Sequence, residues 1–371
     1  MKVIIISAIN FRSGGPLSIL NDCLEFLDTH YASNYKIIAL IHHKKVLRKS
    51  LENIEFIEFP KSIKSYIFRL YYEYFYFKRI SKKYKPYLWL SLHDMTPNVE
   101  SEIRAVYCHN PSSFYKISLK EFFLDKKFYL FTLFYKKIYK KNINKNDYVI
   151  VQHDWLRREF KNMFSIKECV VAYPVISINK ELFSNATSQD QDSDKIKFFY
   201  PSFPRVFKNF EIACEAFKKL PESYKSKAEL IITIDGTENK YSKHIYKKFS
   251  EVKNIKFIGL QSREKVFEFY AESDCLIFPS KLETWGLPIS EYKEFNKPIL
   301  LADFKYAHET VGNYDKVKFF QHDNSNELSQ YICDFIDDKL TFESHIQPKP
   351  SQPFSRNWKE LFKILLEDKN D

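Results

Sequence analysis

A short apolar run closed by a proline constrains the fold of this chain more than any other stretch. Residues 275–278 read Cys-Leu-Ile-Phe and precede a proline, which is typical of a buried parallel strand ending at the edge of a sheet. Pro288 then predicts the first turn of a helix, where the N–H that proline lacks would have no partner. Glu283 and Gly286 lie in the loop between them, and Glu291 lies in the predicted helix. Amide groups at such a strand-to-helix turn favour anions, phosphates above all.

The length of 371 residues predicts two domains, because one hydrophobic core seldom serves a chain of this size. Short apolar runs alternate with helical patterns in both halves, as parallel sheets with crossover helices require. After an N-terminal strand, we predict strands at 36–42, 54–59, 87–92, 105–108 and 148–152, and then at 195–201, 230–236, 255–260, 275–279 and 297–303. We predict an N-terminal domain at 1–190, a polar linker at 184–194, a second domain at 195–350 and a C-terminal helical segment at 351–371.

The basic excess lies entirely in the first half. Residues 1–190 contain 30 lysines and arginines against 18 acidic residues, a balance of +12, whereas the whole chain carries +11. Six scattered cysteines, none of them in a C-x-x-C pair, are typical of reduced thiols in a cytosolic protein. We expect neither a signal peptide nor a membrane-spanning helix, because the apolar runs are too short for either.

Glu283 and Glu291 follow an apolar strand, and residues 283–288 read Glu-Thr-Trp-Gly-Leu-Pro. This pattern resembles the E-x7-E signature of retaining glycosyltransferases of family 4. The resemblance covers nearly the whole chain and is strongest over 195–312. It implies the GT-B fold, an α/β architecture of two doubly wound Rossmann-like domains facing a central cleft, with a C-terminal helix crossing back to the first domain. The spacing alone leaves open a simpler interpretation, in which the two glutamates only complement a helix dipole.

The resemblance also assigns the donor-binding residues. The family holds the donor diphosphate with a lysine, matched here by Lys208, and with an arginine five residues earlier, where this chain has Phe203; Arg205 is the candidate substitute. Glu291 would hold the ribose hydroxyls and Glu283 the donor sugar. The predicted donor-binding set is Gly14, Gly15, Arg205, Lys208, Leu260, Glu283, Thr284, Trp285, Gly286, Leu287 and Glu291.

Gly14 and Gly15 stand between the first apolar run and a helical pattern, at the entrance expected of a doubly wound sheet. The turn is not G-x-G-x-x-G, so a dinucleotide site is not predicted, and an ordinary turn without a ligand stays open. The family has a comparable glycine-rich loop facing donor and acceptor.

Histidines follow two of the predicted strands. His109 comes after 105–108, where the family has a histidine near the transferring carbon, so the resemblance makes His109, Glu283 and Lys208 the predicted catalytic residues. A lone histidine is more often structural, and that alternative stays open. His93 and Asp94 follow 87–92 and are predicted to line the acceptor pocket.

Two segments of the first half, 61–85 and 115–145, combine lysine with aromatic residues. Such a helix suits the surface of an anionic membrane. The alternative is that the aromatic rings pack inward beneath a solvated lysine face. We do not expect nucleic acid to be a partner, since no nucleic-acid motif accompanies these residues. The predicted membrane patch is Lys126, Lys127, Lys136, Lys137, Lys140 and Lys141.

The resulting functional hypothesis is a retaining hexosyltransferase that needs no metal or other cofactor. Its partners would be a nucleotide-diphosphate sugar, with UDP favoured over GDP, and a saccharide acceptor. A lipid-linked acceptor in the assembly of a surface polysaccharide such as O-antigen or capsule is expected, with the protein cytoplasmic and peripheral at the inner face of the plasma membrane. The alternatives are a soluble acceptor, or a GT-B-like protein that binds nucleotide-sugars or polyanions without turnover.

Overall fold

The computed structural model describes residues 1–12, 14–175 and 195–367, and the predicted linker at 184–194 lies outside the described residues. The chain divides into two compact units. Unit 1 consists of Met1–Phe114, Thr132–Val175 and Lys349–Asp371, and unit 2 consists of Tyr115–Phe131 and Ile176–Pro348. The two units are defined by the contacts within them, which does not show that each folds independently. The predicted domain boundaries therefore stay predictions.

The strands are bounded as follows: β1 Lys2–Ala8, β2 Tyr35–Ile41, β3 Ile54–Glu58, β4 Leu88–Ser91, β5 Ile103–Tyr107, β6 Tyr148–Val151, β7 Glu168–Ala172, β8 Ile196–Tyr200, β9 Ala228–Ile232, β10 Ile255–Phe257, β11 Cys275–Phe278, β12 Ile299–Ala302, β13 Tyr314–Phe320, β14 Glu343–His345 and β15 Phe354–Ser355. Each predicted strand is present, and most of the observed strand ends lie within two residues of the predicted ones. The strand predicted at 230–236 begins and ends earlier, at Ala228–Ile232. We did not predict β7, β13, β14 or β15.

The helices are bounded as follows: α1 Gly14–His30, α2 Tyr66–Tyr71, α3 Phe77–Tyr84, α4 Leu119–Leu124, α5 Lys126–Lys140, α6 Asp154–Met163, α7 Phe210–Lys219, α8 Glu222–Lys225, α9 Lys240–Phe249, α10 Arg263–Glu272, α11 Leu287–Lys293, α12 Lys305–Val311, α13 Ser325–Ile336 and α14 Trp358–Leu366. A π-helical turn, Tyr72–Tyr76, joins α2 to α3.

Unit 1 contains a parallel sheet in the order β15-β7-β6-β5-β4-β1-β2-β3. Strand β1 is buried on both faces, which explains its continuous isoleucine run. Ile4 and Ile6 pack towards α1 and α14, whereas Ile5 packs in a second cluster with Phe77 and Ile80 of α3. The chain reverses its winding direction between β1 and β4, where doubly wound sheets open a ligand crevice at the strand ends.

The C-terminal segment completes unit 1. Strand β15 pairs with β7, and Arg157 donates a hydrogen bond to the Ser351 carbonyl at 2.8 Å. Phe362 and Leu365 of α14 are fully buried in the cluster that contains Leu24 of α1. The predicted return of the last helix to the first half of the fold is confirmed.

Unit 2 contains a second doubly wound sheet, in the order β10-β9-β8-β11-β12-β13-β14, with only the pair β13–β14 antiparallel among its described pairs. Strand β11 is buried at every residue, as its apolar sequence predicts. Strands β8 and β11 pair side by side where the strand order reverses. The two sheets confirm the predicted fold class of two doubly wound α/β units.

Candidate functional site

The loop after β11 turns sharply into α11. Gly286 precedes the helix with φ +87°, and a Cβ atom there would lie 3.1 Å from Ile289 Cδ1, so backbone conformation and space both favour glycine. Pro288 lies in the first turn of α11, as predicted. The loop therefore emerges at the carboxyl end of β11, beside β8, where the strand order of unit 2 reverses.

Lys208 and Glu283 meet at this end of the sheet. The Lys208 ammonium donates to Glu283 Oε1, and the two side chains are only 16% and 13% exposed. Two further bonds hold the loops together: Tyr200 Oη donates to the Lys208 carbonyl, and the Lys281 N–H donates to the Phe207 carbonyl, both at 2.7 Å. The structure thus brings together the lysine and the first glutamate that the sequence singled out separately.

Glu291 lies on α11, the helix that follows this loop, and is 7% exposed. Its carboxylate accepts from Arg263 Nη2 at 3.0 Å and from Tyr270 Oη at 3.2 Å. Burial raises the pKa of Glu291, although the Arg263 charge and the Tyr270 hydroxyl act in the opposite direction. Sequence reasoning missed Arg263, which opens α10 only three residues after the predicted contact Leu260; a cation at the start of that helix was the available signal.

Arg205 has a carboxylate partner from the segment 115–131. Its Nη1 lies 3.2 Å from Asp125 Oδ2, and its side chain is 44% exposed. Lys281 pairs with Glu121 of α4 in the same way, and this ammonium is one cause that lowers the pKa of Glu121 against the effect of its burial. Each of the three cations Arg205, Lys208 and Lys281 therefore faces a carboxylate.

The other predicted donor residues differ in exposure. Leu260 is exposed, whereas Thr284 and Leu287 are half-buried. Trp285 is buried, its indole N–H donates to Ser290 Oγ at 3.0 Å, and its carbonyl accepts from Thr310. The indole thus packs within unit 2 and stabilises the loop.

Gly14 and Gly15 begin α1, the helix that follows β1. Gly14 is exposed with φ +70°, and a Cβ atom there would meet no other atom within 4 Å. The left-handed backbone therefore requires glycine, and open space surrounds it. Both glycines lie at the carboxyl end of β1, beside the point where the strand order of unit 1 reverses.

His109 follows β5 and is held between aromatic rings. Its imidazole stacks on Tyr107 with ring centroids 4.4 Å apart and meets the edge of Phe11 at 5.7 Å. Burial lowers the pKa of His109 to about 4, although the charge of Asp94 acts to raise it. The imidazole is therefore neutral at pH 7.

His93 and Asp94 follow the end of β4 and both bind to other residues of unit 1. His93 is fully buried, with Nε2 2.9 Å from Glu73 Oε1 and 3.3 Å from Ser7 Oγ. Asp94 accepts hydrogen bonds from backbone amides of the His109 turn. The acceptor role of His93 and Asp94 stays a prediction. Sequence reasoning missed Glu73, whose position within a π-helical turn no local pattern indicates.

The lysines of the predicted patch are all exposed along and just after α5. The same helix exposes Leu130, Leu133 and Phe134, whereas it buries Tyr135 and Tyr139. Within the segment 61–85, α2 and the π-helical turn expose seven large apolar or aromatic side chains: Tyr66, Ile67, Phe68, Leu70, Tyr71, Phe75 and Tyr76. The rings of these segments thus divide between core and surface.

Among residues 1–12, 14–175 and 195–367, no three His, Cys, Asp or Glu side chains form a group suited to a metal ion. The predicted independence from metal stays a prediction.

A family model described as glycosyl transferases group 1 matches residues 182–351, a range that includes all seven described strands of the unit 2 sheet. A search of curated protein sequences gives no match.

Solved structures resemble the chain over nearly its whole length. Sucrose-phosphate synthase from Thermosynechococcus elongatus has a TM-score of 0.64 at 13% identity, covering 91% of this chain and 90% of that one. HepE of Anabaena in complex with UDP-glucose has a TM-score of 0.64 at 14% identity, with the same coverage. The lipopolysaccharide outer core galactosyltransferase WaaB has a TM-score of 0.62 at 11% identity, covering 92% of each chain.

At these identities the likeness shows the fold, which confirms the predicted GT-B architecture. Within this fold, residues 182–351 are similar to the glycosyl transferases group 1 model, a match that covers less than half of the chain.

Proposed function

We propose that this protein is a retaining glycosyltransferase of the family 4 type, transferring a sugar from a nucleotide-diphosphate sugar to a saccharide acceptor. The observation that carries the proposal is the ion pair of Lys208 and Glu283 at the carboxyl ends of β8 and β11, with Glu291 on the helix that follows. These three residues lie within the segment that matches the glycosyl transferases group 1 model. A lysine suits a diphosphate, and carboxylates suit the hydroxyl groups of a ribose or a sugar.

In this proposal unit 2 binds the donor. Lys208, helped by Arg205 and the amides around Gly286, neutralises the diphosphate, and Glu291 accepts hydrogen bonds from the ribose hydroxyls. Glu283 contacts the donor sugar. A UDP-sugar is the favoured donor, supported by a structural neighbour that binds UDP and UDP-glucose, and a GDP-sugar is the second choice.

The proposed transfer step forms a bond between an acceptor hydroxyl oxygen and the anomeric carbon while the bond from that carbon to the diphosphate oxygen breaks. The acceptor proton passes to the leaving diphosphate, on the same face of the sugar, so the anomeric configuration is retained. The role of His109 near the transferring carbon rests on the family resemblance. Its neutral imidazole can accept a hydrogen bond from a sugar hydroxyl at pH 7.

No divalent cation takes part in the proposed step, because Lys208 and Arg205 supply the positive charge. Activity should be the same in EDTA as in Mg²⁺. A requirement for added metal would contradict this part of the proposal.

A lipid-linked acceptor is proposed from the surface of unit 1. Ile67 is 76% exposed and Phe75 is 68% exposed, and the exposed Lys137 lies beside the exposed Phe134. Apolar side chains next to lysines suit insertion at an anionic membrane, where each lysine contributes about 1 kcal/mol. Among the described residues no helix is both long and apolar enough to span a bilayer. We therefore propose peripheral binding at the inner face of the plasma membrane, in assembly of a surface polysaccharide such as O-antigen or capsule.

The donor proposal is tested with a panel of nucleotides and nucleotide-sugars. We expect UDP or GDP to raise the melting temperature, and the matching sugar nucleotide to be hydrolysed slowly or transferred. Lys208→Ala and Glu291→Ala should both abolish the shift; shifts that persist in both variants would contradict the donor site. Binding without hydrolysis or transfer across the panel, with acceptors included, would favour the alternative of a binding protein without turnover.

The membrane proposal is tested by flotation with anionic and neutral liposomes at low salt. We expect wild type to float with anionic liposomes, and Lys136→Glu/Lys137→Glu to float less. The charge-matched control is Lys243→Glu/Lys247→Glu, whose lysines are exposed on α9 of unit 2 and should leave flotation unchanged. Wild-type protein that stays at the bottom of the gradient would contradict membrane binding.

A further inference from the structure

Asp94 occupies an unusual position at the end of β4. Its backbone is left-handed, with φ +55°, a conformation that a non-glycine residue adopts only at a cost. Its carboxylate accepts from the His109 N–H at 2.5 Å and the Asn110 N–H at 3.1 Å. It also accepts from the hydroxyls of Tyr135 at 2.5 Å and Tyr139 at 2.8 Å. Asp94 thus joins the turn that carries His109 to the buried face of α5, and Tyr139 Oη also reaches this turn directly by donating to the Asn110 carbonyl at 2.9 Å.

The contacts of the His109 ring do not by themselves anchor its backbone. The imidazole lies between Tyr107 and Phe11 and also forms a hydrogen bond with the backbone of Leu92. These contacts hold the ring, whereas the backbone of the turn is held by directional, charge-assisted hydrogen bonds to the Asp94 carboxylate. The two amides bound by Asp94 therefore determine where the His109 turn begins.

The residue before Asp94 is anchored independently. His93 is fully buried between Ser7 Oγ and the carboxylate of Glu73, and Glu73 lies in the π-helical turn that follows α2. Two consecutive residues at the end of β4 thus bind to two different helical segments. Because His93 and Asp94 are each held by a different helical segment, the Asp94 carboxylate has a fixed position from which to bind the His109 turn.

We propose that Asp94 is a positioning residue for His109, and that Tyr135 and Tyr139 hold Asp94 in the orientation this requires. The inference rests on the proposed function, in which His109 acts near the transferring carbon. It assigns the buried tyrosines of α5 a part in the rate of transfer, although neither contacts substrate in the proposal.

The kinetic test uses Tyr135→Phe/Tyr139→Phe, which removes two hydroxyls and keeps both rings. We expect kcat to fall about 10- to 100-fold, because a displacement of about 1 Å in a catalytic group costs this much. The donor KM and the UDP-induced thermal shift should stay unchanged, since the donor cations belong to unit 2. The matched control is Tyr224→Phe, which removes a tyrosine–aspartate hydrogen bond to Asp337 elsewhere in unit 2 and should leave kcat unchanged.

The second measurement is the pKa of His109, followed by NMR of protein labelled at the histidine ring carbons and assigned with His109→Asn. In wild type we expect the pKa of about 4 that burial imposes. If the turn is released in Tyr135→Phe/Tyr139→Phe or in Asp94→Asn, water reaches the ring and the pKa rises towards its ordinary value of 6.5. If the turn stays in place in Asp94→Asn, the loss of the Asp94 charge lowers the pKa instead.

The pKa of His109 rises if the turn is released and falls in Asp94→Asn if the turn stays in place. The direction of the pKa change therefore distinguishes the two cases without an activity assay. A pKa of His109 that stays near 4 in the tyrosine variant and does not rise in Asp94→Asn would overturn the inference, and so would an unchanged kcat. If the wild type neither binds nucleotides nor turns over a donor, the proposed function fails, and the NMR result still decides whether Asp94 positions the His109 turn. Glu73 and His93 are left unchanged in every variant, so the anchoring contacts of His93 are not altered directly.

Discussion

The buried carboxylate of Glu291 offers a test in which stability and ligand affinity move independently. Replacing Glu291 by glutamine preserves the shape of the side chain and removes its charge. The amide oxygen can still accept from the Tyr270 hydroxyl, while the partner Arg263 is 52% exposed and can return to water. The lost ion pair is then worth about 0–1 kcal/mol. We expect the melting temperature of the nucleotide-free variant at pH 7 to be unchanged or higher than that of the wild type.

The pH dependence follows from the raised pKa of Glu291, whose ordinary value is 4.5. A group whose pKa is higher in the folded state takes up a proton on folding, so its favourable contribution to stability is complete below pH 4.5 and is lost as the pH rises through the folded pKa. Any stability advantage of Glu291→Gln over the wild type should therefore be greatest at pH 7 and should disappear below about pH 4.5. Thermal melts of both proteins across this range measure the difference.

Nucleotide affinity should be weaker in Glu291→Gln than in the wild type, although the stability of the variant is unchanged or higher. If two ribose hydroxyls donate to the Glu291 carboxylate, glutamine can accept only one of them, and its NH₂ group faces the other. One charge-assisted hydrogen bond is worth about 1.5–3 kcal/mol, so Kd for UDP should rise about 10- to 150-fold. Isothermal titration calorimetry with UDP measures the change.

The matched control is Glu294→Gln, which alters the exposed glutamate at the C-terminal cap of the same helix and should leave Kd unchanged. A wild-type Kd in Glu291→Gln would refute the ribose assignment. A clear fall in the melting temperature at pH 7 would instead refute the view that the ionised carboxylate is costly to bury.

Three further predictions concern the same loops. Lys208→Ala should lower kcat by about 100- to 1000-fold in steady-state transfer assays, because a preorganised charge at the leaving group is lost. If kcat falls less in Lys208→Ala than in Arg205→Ala, the arginine is the principal cation. Gly286→Ala should lower the free energy of unfolding by about 1–3 kcal/mol in urea titrations, because φ is +87° and Ile289 Cδ1 lies 3.1 Å from the new methyl group; unaltered stability would mean that the turn can refold around alanine. Asp125→Asn should tighten UDP binding up to about 5-fold by freeing the half-exposed Arg205, and weaker binding would show that Asp125 orients the arginine instead.

Much of the architecture could be predicted from local sequence. Strand β11 is apolar at every position because both of its faces are covered, and that pattern is legible without any contact being known. Pro288 and Gly286 carry their own backbone constraints, so the first turn of α11 was predictable from Pro288. Strands such as β13, whose exposure is mixed, lack so clear a signal and were missed.

Side-chain partnerships were predictable only where a family pattern pointed to both members. Lys208 and Glu283 were both singled out, but they are 75 residues apart in sequence. Their ion pair forms because β8 and β11 lie side by side. Arg263 carries no pattern of its own and becomes notable only because α10 brings it to Glu291. The pairing of strands decides such contacts.

The loop from Pro279 to Glu291 shows what the sequence by itself determined: a buried strand, a glycine turn, a helix start and the residue types that suit a nucleotide-sugar. Periodicity, proline and glycine act within a few residues, so they can be read along the chain. Only the tertiary structure decided that 115–131 joins unit 2 and that Asp94 links α5 to the His109 turn. Those contacts join residues 15 to 80 positions apart, and they form because sheet order and helix packing, not local preference, select which side chains meet.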